Sequence, residues 1–104
     1  MGDDFSIDAI DDVIHGRLRL GIMAFLSTAG SADFTLLKNR LQATDGNLSV
    51  QLRKLEEAGY VTIDKAFVGK KPQTTVTLSP PGRTAYLGYL DAMRRLIDDS
   101  ASPA

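Results

Sequence analysis

The stretch Thr44–Lys54 reads TDGNLSVQLRK and gathers amide, guanidinium and ammonium side chains on a segment of helical periodicity. Leu48, Leu52 and Leu55 recur at i, i+4 and i+7, the spacing of one buried stripe. Asn47, Val50, Arg53 and Lys54 fall on the other side. The chemistry such a face offers is hydrogen bonding to base edges. Asn47 and Gln51 can pair bidentately with adenine, and Arg53 and Lys54 suit guanine or phosphate. Val50 is the odd member, an apolar side chain in a polar, basic face. Two readings fit it: contact with a thymine methyl group, the apolar feature of the major groove, or a tolerated exposed valine, since single surface apolar residues are normal.

Other chemistries find less support. The chain has no cysteine, which excludes disulfides, thiolate metal sites and cysteine nucleophiles. His15 is the one histidine, and it has no serine or cysteine partners at a telling spacing. With only Asp11 and Asp12 nearby it makes a poor metal site and reads as a polar helix residue. Glu56 and Glu57 are adjacent on a helix, so they diverge rather than form a carboxylate pair. No glycine-rich phosphate loop occurs. Neither an enzymatic activity nor a cofactor or metal is expected.

The elements that must position this face follow from periodicity and punctuation. The apolar pattern from Ile7 to Leu26 predicts a first helix, with Ile10, Ile14, Leu18, Ile22 and Phe25 on one stripe. Gly30 and Ser31 break it, and ADF suggests a very short strand. Thr35 can cap a short helix, TLLKNRLQA, with Leu37 and Leu41 inward. Thr44, Asp45 and Gly46 form a tight turn, and Thr44 or Asp45 can cap the helix that carries the basic face. Gly59 stops that helix. Val61 and Ile63, then Val76 and Leu78, alternate with polar residues, so a β-hairpin is expected with VGKKPQ as its loop. Ser79 and Pro80 start a last helix. The tail from residue 99 to 104 reads as disordered.

The predicted architecture is therefore mainly α with a small β-hairpin (α+β), in the order α-β-α-α-β-β-α. Two short helices joined by a tight turn form a helix-turn-helix, and the hairpin after them is a wing. In this arrangement the second helix enters the major groove. Lys70 and Lys71, at the hairpin tip, can reach phosphates or a minor groove beside it.

With 104 residues, one domain spanning 1–104 is the expectation. The net charge is −1, but it is unevenly spread. Phe34–Arg83 holds eight Lys/Arg against four Asp/Glu, a balance of +4, and the two ends hold four against nine, a balance of −5. A basic middle between acidic ends can present a local positive footprint. The longest early apolar run, LGIMAFL, is too short to span a bilayer, and the acidic start is unlike a targeting peptide. A cytoplasmic location without membrane association is expected.

TDGNLSVQLRKLEEAGYV followed by GKKPQTTVTLSPPGRTAY resembles the winged-helix domains of bacterial transcriptional regulators of the MarR/ArsR type. The likeness is greatest to the small stand-alone members, which share the DGNLS and LEEAGYV pair and a threonine-rich return strand. It covers roughly Val13 to Ile97. The resemblance implies a homodimer that binds double-stranded DNA sequence-specifically. Its DNA-facing set would be Thr44, Asn47, Ser49, Val50, Gln51, Arg53 and Lys54, with Lys70 and Lys71 on the wing. It names no small-molecule effector.

The terminal helices carry more apolar surface than one small core requires. Val13, Leu20 and Met23 lie off the main stripe of the first helix, and Tyr86, Tyr89, Leu90, Met93, Leu96 and Ile97 form a wide arc on the last. These nine are the expected dimer contacts. A second reading remains open: a winged helix used as a protein-interaction module without DNA binding.

Overall fold

The computed structural model describes residues 7–101. A 3₁₀ turn, Ile7–Ala9, precedes helix α1 (Arg17–Ala29), strand β1 (Ser31–Asp33), α2 (Phe34–Leu41), α3 (Asp45–Glu57), β2 (Val61–Val68), β3 (Lys71–Leu78) and α4 (Pro80–Ala101). The three strands form one antiparallel sheet in the order β1-β3-β2. This is the α+β winged helix-turn-helix architecture expected from the sequence, and a single hydrophobic cluster joins its elements.

The first helix begins ten residues later than its apolar periodicity suggests. Asp11 is the cause. Its Oδ1 accepts hydrogen bonds from the backbone N–H groups of Val13 (2.8 Å) and Ile14 (3.1 Å), which turns the chain before a helix can propagate. The other oxygen accepts from the Tyr60 hydroxyl at 2.5 Å. Ile10 and Ile14 are nevertheless buried. Periodicity correctly marked them as core, but not as members of one continuous helix.

Helix α2 is capped by Asp33 rather than Thr35. The Asp33 side chain accepts from the Leu36 N–H at 2.7 Å, and Phe34 already lies in the helix. The turn of the helix-turn-helix also sits earlier than expected. It comprises Gln42, Ala43 and Thr44, with Gln42 left-handed (φ 52°), and Asp45 and Gly46 belong to the first turn of α3. Thr44 is the cap, accepting from the Asn47 N–H at 3.1 Å.

The wing is longer and its loop tighter than VGKKPQ implies. Strand pairing runs out to Val68 and Lys71, leaving Gly69 and Lys70 as a two-residue turn. Pro72 lies inside β3, opposite Phe67. It is tolerated because β1 pairs only with Thr75–Thr77 of β3 and does not reach that far.

Helix α4 starts as expected, with the Ser79 hydroxyl accepting from the Gly82 N–H at 3.0 Å. It continues to Ala101, so residues 99–101 of the expected disordered tail are helical, and 102–104 lie outside the described residues. Two expected dimer contacts are corrected here. Met23 and Tyr89 are 0% and 3% exposed and belong to the chain's own core, so neither offers a surface to a second copy. Tyr89 is held there by a 2.8 Å hydrogen bond between its hydroxyl and His15 Nδ1, and burial, with the neighbouring Tyr86, raises its phenol pKa.

The hairpin joins α4 through one close approach. The Tyr60 carbonyl accepts from the Ser79 N–H at 3.0 Å. A Cβ added to buried Gly82 would lie 2.1 Å from that same carbonyl oxygen. Neither partner is a flexible side-chain end, so relief requires backbone movement. Gly82→Ala is therefore expected to cost about 1–3 kcal/mol or more. Gly88→Ala, in the same helix with open space around its Cβ, should be neutral or stabilise by up to about 1 kcal/mol. Urea denaturation of the two variants tests this, and equal effects would contradict the packing described.

Candidate nucleic-acid interface

The exposed face of α3 follows from what it buries. Leu48, Leu52 and Leu55 are 0–2% exposed, and their burial turns Asn47, Val50, Arg53 and Lys54 outward. Val50 is 50% exposed and takes no part in the core.

The first turn of α3 is electrostatically prepared. Its one carboxylate, Asp45, forms a 2.9 Å ion pair with Lys38 of α2. The pair counters the one negative charge in that turn.

Gln51 behaves differently from its neighbours. It is half-buried on the flank facing α1, and its Oε1 accepts from the Arg19 guanidinium. Its Nε2 donates to Asn47 Oδ1 at 3.1 Å. Both ends of the amide are thus engaged within the chain. The expectation that Gln51 presents a free edge to adenine gives way to a bridging role between Arg19 and Asn47. Arg19 was not singled out by sequence reasoning, because no local pattern reports a contact across 32 residues.

On the opposite flank a groove separates α3 from the wing. Ser49, Arg53 and Glu56 line it from α3, Lys65 and Thr74 from the wing, and Phe34 from α2. Ser49 therefore faces the wing side of α3, and Thr44 serves as the helix cap. Lys70 is at the turn and Lys71 begins β3, both exposed. Phe67 and Val68 beside them are 74% and 62% exposed, an apolar tip that sequence reasoning missed. The signal for Phe67 was the alternation Val61, Ile63, Lys65, Phe67, which keeps one side of β2 but runs past the body of the domain.

Behind this surface the Tyr60–Asp11 hydrogen bond ties β2's start to the segment before α1. That bond, then burial, then the Asp11 charge, push the Tyr60 phenol up to about 12. Tyr60 is thus a neutral structural donor at ordinary pH. Among the described residues no helix is long and apolar enough to cross a membrane.

Residues 18–97 match the family model of the winged helix DNA-binding domain. The chain belongs to that family. The uncharacterized protein MJ0432 of Methanocaldococcus jannaschii is 33% identical over 78 residues, covering 75% of this chain and 85% of that protein. The structure of a transcriptional regulator homologue from Pyrococcus horikoshii superposes with a TM-score of 0.81 at 30% identity, covering 86% of this chain and 89% of that one. Sco3205, a MarR family transcriptional regulator from Streptomyces coelicolor solved in complex with DNA, has the same fold. It gives a TM-score of 0.64 at 21% identity, over 92% of this chain and 67% of its own. The resemblance to winged-helix regulators read from the motifs is thus borne out at the level of the winged helix DNA-binding domain.

The orientation of α3 is directly checkable. Val50→Ala should change stability by less than about 0.5 kcal/mol, as for other exposed sites. Leu52→Ala should cost about 2–5 kcal/mol. Chemical denaturation of both variants measures this, and a large loss for Val50→Ala would mean that the helix is rotated from the position described.

Proposed function

We propose that this chain is a sequence-specific, double-stranded DNA-binding regulator of transcription that acts as a homodimer. The observation that carries the reading is the joint exposure of Asn47, Arg53 and Lys54 on α3 and of Lys70 and Lys71 on the wing. The regulators named above, one of them solved on DNA, support it.

In this reading α3 lies in the major groove with its N-terminal half against base edges. Arg53 hydrogen-bonds guanine or a phosphate, and Lys54 adds a phosphate contact. Val50 packs on a thymine methyl. Thr44 and Ser49 frame the helix on its cap and wing sides. Lys70 and Lys71 anchor the wing on the adjacent backbone or minor groove. Replacing both lysines with alanine should weaken binding to all sequences alike and flatten the salt slope by roughly one unit per lost contact. Gel-shift titration with the protein's own upstream DNA at two salt concentrations measures this. Failure of the wild-type protein to prefer that DNA over a scrambled duplex would favour the protein-interaction reading instead.

The dimer reading rests on apolar surface that the core leaves uncovered. Leu87, Leu90 and Ile97 of α4 are 58%, 39% and 55% exposed, and Tyr86, Met93 and Leu96 are half-buried beside them. Val13 and Leu20, half-buried against the core, are the remaining expected contacts once Met23 and Tyr89 are assigned to it. A twofold pairing through α4 would set two recognition helices about one DNA turn apart. Light scattering at micromolar concentration should report a dimer mass, and Leu90→Glu with Ile97→Glu should give a folded monomer. A monomeric wild-type protein would overturn this part of the proposal.

A further inference from the structure

The polarity of the hydrogen-bonding edge at the start of α3 is set from outside that helix. A guanidinium only donates. The end of the Gln51 amide that meets Arg19 is therefore its oxygen. The Gln51 nitrogen must then face Asn47, which receives it on Oδ1. The outward end of the Asn47 amide is consequently its NH₂ group. We propose that Asn47 reads a hydrogen-bond-acceptor edge in the major groove, the N7 and O6 of guanine, and that Arg19 and Gln51 are positioning residues that impose this choice without touching DNA. The proposal rests on the DNA-binding reading above.

The usual pairing of an asparagine with adenine needs both ends of the amide, the nitrogen donating to N7 and the oxygen accepting from N6. With Oδ1 already accepting from Gln51, that pairing must share its acceptor and give up the best alignment with N6. Guanine presents two acceptors side by side and demands donors only. The sequence pattern alone could not distinguish these cases, because an asparagine in isolation can turn either end outward.

Arg19 is well placed to hold the arrangement. It is half-buried, and its Nε donates to the Val13 carbonyl at 2.5 Å. Asp11 in turn holds the Val13 N–H. The guanidinium also lies over Gly16, where a Cβ would come within 2.5 Å of Nη2 and 2.6 Å of Cζ. Gly16 has φ −113°, a conformation that alanine adopts freely. A methyl group there would therefore displace the Arg19 side chain rather than distort the backbone.

Selection of binding sites from randomised duplexes tests the proposal with four proteins: wild type, Gln51→Glu, Arg19→Leu and Gly16→Ala. The wild type should enrich guanine over adenine at one position of each half-site by about fivefold or more, the discrimination of a good contact. A glutamate at position 51 keeps Arg19 but has no donor for Asn47 Oδ1. It can only accept from the Asn47 NH₂, so the amide turns over and presents oxygen. The enriched base should then become one that offers an amine, cytosine or adenine. Overall affinity will fall with the added negative charge, but the base preference is read independently of it. Arg19→Leu and Gly16→Ala should both level guanine and adenine. Circular dichroism confirms that each variant is folded. In the free proteins, the Gln51 side-chain NH₂ protons should exchange with solvent faster in Arg19→Leu than in the wild type.

Adenine preference in the wild type, or the same preference in all four proteins, would overturn the proposal. Absence of any sequence preference in the wild type would overturn it together with the DNA-binding reading. Slow Gln51 exchange in that case would locate the failure in DNA recognition, and fast exchange would locate it in the hydrogen-bond chain.

Discussion

Three leucines decide which way α3 faces. Leu48, Leu52 and Leu55 enter the same cluster as Ile22, Met23 and Leu26 of α1 and Leu37 of α2. Each is worth about 2 kcal/mol of burial. Rotating α3 by one residue, about 100°, would expose leucine and bury Ser49, Arg53 or Lys54 in exchange. The rotation is thus overdetermined. Asn47, Val50, Arg53 and Lys54 face outward because the leucines cannot. Val50 stands in a polar face because it is not needed in the core, which leaves its methyl groups available for an apolar contact with a partner.

Charge is organised around the same axis. A total near zero conceals a basic central segment, and the fold sharpens that asymmetry at the start of α3. Lys38 pairs with Asp45 there, whereas on α4 Asp91 pairs with Arg95 at 3.2 Å, far along the chain from the wing. These pairs are exposed and add little to stability. Among the described residues, Arg53 and Lys54 on α3 and Lys70 and Lys71 on the wing take part in no ion pair. For a protein with acidic ends, such local placement matters more than net charge.

The parts of the fold that could be read from sequence are those governed by local periodicity and end signals. The leucine stripe of α3, the Ser79 cap before Pro80, the stop near Gly59 and the α-β-α-α-β-β-α order all have short-range causes. The departures have long-range or competing causes. Asp11 cuts the first helix short by capturing two backbone N–H groups, and its bond to Tyr60 spans 49 residues. Met23 and Tyr89 looked like surplus apolar surface because a helical wheel does not show how many neighbours surround a helix. The hairpin loop looked longer than it is because Pro72 resembles a loop residue, although it suits a stretch of β3 that β1 does not pair with. Of the candidate site, the outward residues of α3 and the two wing lysines were recognisable. The Arg19–Gln51–Asn47 connection was not, since it depends on how α1 crosses α3.

The central claim is that the outward face of α3 and the wing tip are the surfaces that meet DNA. The most direct test is an NMR titration of the isotope-labelled protein with a duplex from its own upstream region. The account predicts that the backbone amides of residues 46–54 and 69–72 shift together with the Val50 methyl groups, while the Leu48 and Leu52 methyls barely move. Shifts confined to the α4 flank around Leu87, Leu90 and Ile97, with Val50 unchanged, would contradict it.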